Sequence, residues 1–374
     1  PAAVGAMRAM ADEGPAARGA RMNPFAIGKL MLGAGHPVYV AFEIGPTMRG
    51  LGSALRLTQA AAAARADAIK VQILDAQRLV GDPALTVVWR EAGDGACEAP
   101  MREVLGRRAL SRDEWRALRR DARERGLDFI ATVDFPETLA IAVDLAADAL
   151  KVCSGDVTHT EWVKEVAAAG VPIMIDTGSA TLGDVERAVE ACLSAGNPRL
   201  VIHHCPTGYP ARLESVNLRV LTTLRQMFPD FPIAFSDHVP GSAMDVAAVA
   251  LGASMIEKTL TEDCQTPGPE HVMSIEPHEA AGFVRQIRDV EQALGHPRRR
   301  LSAEEEAGKQ RARRSLYAAR DLAAGEALTP DAVEWRRPGG GIGPAAWSAM
   351  AAAGVPRCRH AVGGGERIEW GAIL

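Results

Sequence analysis

Polar and charged residues recur near the end of one apolar run after another. VYVAFEI (38–44) carries Glu43, AIKVQIL (68–74) carries Lys70 and Gln72, and DFIATV (128–133) carries Thr132. ALKVCS (149–154) holds Lys151 and Ser154, with Asp156 just beyond, and PIMIDT (172–177) ends in Asp176 and Thr177. LVIHHC (200–205) offers His203 and His204, PIAFSD (232–237) offers Ser236 and Asp237 before His238, and SMIEKTL (254–260) offers Glu257, Lys258 and Thr259. Two lysines with three hydroxyls (Thr132, Ser154, Ser236) suit a phosphate or carboxylate held in a partly desolvated site. His238 beside a carboxylate could hold a divalent metal that polarises a carbonyl oxygen. A lone lysine in a strand can snorkel, and a lone histidine can be a hydrogen-bonded core residue. Random placement would scatter such residues over both ends of the runs, whereas here they gather at one.

The elements that would gather them are legible. The eight runs are apolar on both faces, as strands covered on both sides by helices must be. Between them lie helical stretches such as SRDEWRALRRDARERG, LGDVERAVEACLSAG and DVAAVALGA, several ending in glycine. Eight strand-then-helix units predict an α/β fold, a closed (β/α)8 TIM barrel, with reactive groups at the carboxyl ends of the strands. A doubly wound open sheet is the alternative, but no GxGxxG follows the first strand. Residues 75–110 form a long insertion, expected to be a rim loop or lid.

The barrel is expected over residues 36–295, preceded by a poorly ordered extension (1–35) that lacks a signal-peptide core. A charged linker (296–312) and a small, mostly β domain (313–374) follow. The net charge of −5, with both signs interleaved, suggests neither a nucleic-acid nor a membrane partner. No apolar run reaches the roughly 18 residues that span a bilayer. Six scattered cysteines without a CxxC pair predict a reduced, cytoplasmic protein.

At these positions the sequence resembles the N-acetylneuraminate (sialic acid) synthase family. The matching stretches are FEIG (42–45), DAIKVQ (67–72), LKVCSGDVT (150–158), DTGSATLGDVERAV (176–189), HCPTGYPARLESVNL (204–218), FSDHVPG (235–241), ALGASMIEKTLTED (250–263) and PGPEH (267–271). The tail, through WRRPGGGIG (335–343), resembles the antifreeze-like (SAF) domain of these synthases. The resemblance implies condensation of phosphoenolpyruvate with an aldose-type sugar, giving a 3-deoxy-2-keto sugar acid and phosphate. By position it implies that Glu43, Lys70, His238, Glu257 and Lys258 serve the chemistry. Thr132, Lys151, Ser154, Asp176, Thr207, Tyr209, Ser236, Glu270 and Arg337 would contact substrates, Arg337 by reaching into a partner subunit of a domain-exchanged homodimer.

Three departures from the family pattern stand out. Thr259 replaces the second metal histidine, so a manganese or magnesium ion is expected on His238 with His204, with His203 or a carboxylate such as Asp176 or Glu257 as the alternative second ligand, or the site dispenses with metal. Asp176 replaces a phosphate-contacting serine, and a carboxylate there repels phosphate unless it is protonated or paired with Lys151. Thr47, Met48, Arg49 and Gly50 replace an Asn-His-Asn-Gly loop, which favours an anionic or unusual acceptor. Another metal-assisted aldolase or lyase on the same barrel, or a silent sugar-binding homologue, are the alternative functions.

Overall fold

The computed structural model of the protein describes residues 23–90 and 96–374. The chain divides into two units, one ending at Gly295 and one running from His296 to Leu374.

The first unit is a closed barrel of eight parallel strands joined in sequence order. They are β1 (Tyr39–Glu43), β2 (Ala68–Ile73), β3 (Asp128–Val133), β4 (Ala149–Val152), β5 (Ile173–Asp176), β6 (Leu200–His204), β7 (Ile233–Asp237) and β8 (Met255–Thr259). Alternate side chains point to opposite faces of a strand. One set, including Phe42, Ile69, Phe129, Ile202 and Phe235, packs outward against the helices. The other set fills the barrel. Its lower tier is apolar: Ala41, Ala68, Ile130, Ala149, Met174, Val201, Ala234 and Met255 are all buried together. Alanines alternate there with branched residues and methionines, which fits side chains from eight converging strands into one narrow interior.

The expected disorder of residues 1–35 is corrected for its last part, while 1–22 lie outside the described residues. Phe25–Ile27 and Leu30–Leu32 pair as an antiparallel hairpin. Ile27 and Leu32 are fully buried against the lower tier, so this hairpin closes the amino end of the barrel. Its turn needs Gly28: φ is +53°, and a Cβ there would lie 2.0 Å from Asp128 Oδ1. Asp128 is already engaged, accepting a 2.8 Å hydrogen bond from the Tyr39 hydroxyl. The reading missed the hairpin because three-residue strands are too short to show alternation.

The insertion after β2 is ordered into a helix (Ala76–Leu79), a hairpin (Thr86–Arg90 with Ala96–Pro100) and a second helix (Met101–Gly106). Asp75 caps the first helix by accepting from the backbone of Gln77 and Arg78.

The second unit begins with an exposed helix (Ala303–Ala312) held by a Ser302–Glu305 capping box. A small antiparallel sheet (Ser315–Ala318 with Val333–Arg336), isolated bridges and a helix (Pro344–Ala353) surround a core that includes Leu316, Leu322, Leu328, Ile342 and Ile368. No helix among the described residues is long and apolar enough to cross a membrane.

Candidate active site

Above the apolar tier, each of the eight strands contributes one inward polar side chain: Glu43, Lys70, Thr132, Lys151, Asp176, His203, Ser236 and Glu257, every one buried. They form a nearly continuous chain of contacts. Lys70 pairs with Glu43 and lies 3.2 Å from Glu257 Oε1. Glu257 grips the Lys151 ammonium with both oxygens, at 2.9 and 2.8 Å. Lys151 also lies 2.9 Å from Asp176 Oδ1 and donates to Ser236 Oγ at 3.0 Å. Ser236 donates to Asp176 Oδ1 at 3.2 Å and meets His203 Nδ1 at 2.9 Å.

A cavity of about 250 Å³ opens above this tier. Glu43, Lys70, Thr132, Ser154, Asp176 and Glu257 line its floor, but Lys151 and Ser236 do not: they lie beneath the carboxylates of Asp176 and Glu257. Thr132 Oγ1 is buried with no hydrogen-bond partner. The insertion supplies one wall, with Leu79, Val87, Met101, Val104 and Leu105 facing the cavity. Arg108, near its end, donates to Gln72 Oε1 and lies 3.5 Å from Glu270, while Gln72 donates to Glu43 at 3.1 Å. Gly45 brings its backbone in to donate to Glu43 at 2.8 Å; a Cβ there would lie 2.7 Å from the Gln72 nitrogen.

Burial and neighbouring charge compete throughout. Burial alone lowers Lys70 and Lys151, but carboxylates outweigh it, Glu257 and Glu43 for Lys70 and Asp176 and Glu257 for Lys151, so both stay protonated. Glu257 is driven well below the carboxylate range: burial opposes this, but Lys151 and Lys70 prevail. Asp176 goes the other way, raised by burial and by Glu257 despite Lys151. Burial lifts Glu270 to about 7 against the pull of Arg108. Glu270's charge, then burial, raises the Tyr209 hydroxyl. Burial drops His238 to about 4, so it is a neutral imidazole at physiological pH. Cys153 is pushed up to about 12, by burial and then Asp156, which leaves no thiolate nucleophile there.

Tyr209, Glu270, His238 and Thr259 also line the cavity, with the Tyr209 and His238 rings 5.1 Å apart. Four expected residues are placed elsewhere. Lys258 follows an inward residue, so it points outward, fully buried between strand and helix on Asp237, the Val239 carbonyl and, at 3.8 Å, Asp245. His204 likewise points outward, where Nε2 meets the Val216 carbonyl at 2.6 Å. Its neighbour His203 takes the inward position. Thr207 is exposed in a separate depression beside Trp89 and Arg212. Arg337 is exposed on the second unit.

The expected metal pair is therefore not assembled. His238 Nδ1 is buried and unpartnered, but His204 faces the opposite layer. Among the described residues no group of three or more His, Cys, Asp or Glu side chains is arranged to hold a metal ion. The donor set does not fit the expected cation. Arg108 was missed as well: in GRRAL its arginine reads as part of a solvated charge run, and only the fold turns it inward.

A family model described as the NeuB family matches residues 57–299, and a SAF domain model matches 313–353. The chain is 31% identical to the N,N'-diacetyllegionaminic acid synthase of Legionella pneumophila, over 83% of this chain and 88% of the relative. It is 32% identical to human N-acetylneuraminate-9-phosphate synthase, over 80% and 83%. The crystal structure of N-acetylneuraminic acid synthetase from Leptospira borgpetersenii superposes with a TM-score of 0.69 at 26% identity, covering 76% of this chain and 95% of that one.

Two outcomes test the site's electrostatics. Lys258→Met leaves the buried Asp237 carboxylate uncompensated and should cost about 3–5 kcal/mol in urea unfolding; a loss under about 1 kcal/mol, as for an exposed ion pair, contradicts this placement. For Glu270 the folded value, about 7, exceeds the ordinary 4.5. The folded state therefore binds the proton more tightly, and stability falls as pH rises from about 4.5 to about 7. Relative to Glu270→Gln, the native protein should lose on the order of 3 kcal/mol across that window. Parallel unfolding curves across it would refute the shift.

Proposed function

Because the chain belongs to the NeuB family, we propose that it condenses phosphoenolpyruvate with an aldehyde sugar, giving a 3-deoxy-2-keto sugar acid and free phosphate. The bond forms between C3 of phosphoenolpyruvate and the aldehyde carbon, whose oxygen takes up a proton. Water adds at C2 and gives up one proton, balancing the one the aldehyde oxygen took; the C2–O bond to phosphate then breaks as the new hydroxyl becomes the 2-keto oxygen, its proton leaving with phosphate.

The observation that carries this reading is the cavity floor with what lies beneath it: Lys70 on the floor and Lys151 under it, both held protonated, with Thr132 Oγ1 unpartnered on the floor. A donor anion there gains charge-assisted hydrogen bonds in a site screened from water. Lys151, Ser236, Thr132 and Ser154 would take the donor, with Lys70 alongside. Glu43, Tyr209 and Glu270 would face the sugar. Glu270, near neutrality, is suited to pass the proton that the aldehyde oxygen acquires. Neutral His238 would act as a hydrogen-bonding group beside Tyr209. Six cysteines without a CxxC pair suit a cytoplasmic enzyme. The second unit would act across a homodimer, exposed Arg337 completing the partner's barrel.

Phosphate release from phosphoenolpyruvate with a panel of N-acylated aldoses tests the reaction; no release with any of them refutes it. Lys151→Ala should weaken phosphoenolpyruvate binding about tenfold or more in titration calorimetry, since charged hydrogen bonds contribute roughly 1.5–3 kcal/mol each. Unchanged affinity would remove Lys151 from the donor site. Mixing Arg337→Ala with Lys151→Ala subunits should restore part of the activity through mixed dimers. No recovery, with subunit exchange shown by mass, would place the second unit on its own barrel.

A further inference from the structure

The structure assigns Asp176 a role in donor binding: its carboxylate occupies the anion site on Lys151 and Ser236, and it must leave both before a phosphoryl group can take them. This inference rests on the phosphoenolpyruvate reading above. On that reading Lys151 and Ser236 belong to the donor's site, yet neither reaches the cavity surface. Asp176 and Glu257 cover them, and both carboxylates line the floor.

The two covers are not equally held. Glu257 binds Lys151 through both oxygens and has Lys70 at 3.2 Å as a second cation. Asp176 touches Lys151 and Ser236 through Oδ1, at 2.9 and 3.2 Å. The groups that face it are Lys151 from β4, Lys70 from β2, Glu257 from β8, Ser236 from β7, which links it to His203 on β6, and the thiols of Cys205 and Cys153. Two cations thus already serve Asp176 and Glu257 as well as Glu43. An incoming phosphate adds further negative charge to two lysines already shared by three carboxylates, so one carboxylate has to yield its place on Lys151. Asp176, the more weakly held of the two that cover the pair, is the one that moves aside or takes up a proton. The native contact acts as an internal competitor, lowering affinity for the donor while keeping Lys151 compensated when no donor is bound.

The test is titration calorimetry of inorganic phosphate and of phosphoenolpyruvate at pH 8 on the full chain. Asp176→Asn keeps the shape and removes the charge, and Asp176→Ser keeps a hydroxyl and opens space. Each should tighten both anions about tenfold or more, as expected when a like charge within hydrogen-bonding distance is removed from a buried site. The gain should vanish in Lys151→Ala combined with Asp176→Asn. If Asp176→Asn fails to fold, Asp176→Ser carries the measurement. Unchanged or weaker binding in the folded variants overturns the inference, and so does a gain that survives loss of Lys151. If the native protein binds phosphoenolpyruvate and releases phosphate while the variants gain nothing, only the role of Asp176 falls. If no form binds or turns over phosphoenolpyruvate, the donor reading falls with it.

Discussion

Closing eight parallel strands turns one face of every strand into the same narrow interior, and toward the carboxyl ends five of the eight side chains found there, Glu43, Lys70, Lys151, Asp176 and Glu257, are carboxylates and ammonium groups. Water cannot compensate them there, so each must be compensated by a neighbour across the barrel. The order around the wall meets that demand: Glu43 beside Lys70, Lys151 reaching over to Glu257, Asp176 and Ser236 sharing what remains. The same arrangement keeps both lysines protonated in a place where burial alone would discharge them. Rigidity and chemistry come from one network, and a change to any member disturbs its neighbours before it affects a ligand.

How much of this was legible depends on which physical signal each residue carries. Strands covered on both faces read as short apolar runs, so all eight appeared in the sequence, as did the polar residues at their ends. The parity of those ends is a further signal in the sequence. Adjacent residues on a strand face opposite layers, so Glu257 inward requires Lys258 outward, and His203 inward requires His204 outward. The neighbours Met255 and Val201, which belong to the apolar tier, would have settled both. Arg108 and the Gly28 hairpin carry no such signal. An arginine in a charged run and strands of three residues look like surface until the chain is folded.

The insertion after β2 shows how the same scaffold can change what it accepts without touching the charged tier. Leu79, Val87, Met101, Val104 and Leu105 give the cavity an apolar side, opposite a floor of ions. Their backbone belongs to helices and a hairpin outside the barrel ladder, so substitutions there alter the shape of the upper cavity while the strands keep their register.

The hairpin that closes the amino end has a kinetic consequence. With Ile27 and Leu32 stoppering the amino end, the cavity is reached, among the described residues, from the carboxyl end, and whatever binds deepest has to arrive before whatever binds above it. On the donor reading, phosphoenolpyruvate fills the charged floor and the sugar follows, resting on it. Traffic through one doorway makes entry sequential: the sugar in place first would block the path of the donor, and a sugar acid still in the upper cavity would detain the phosphate beneath it.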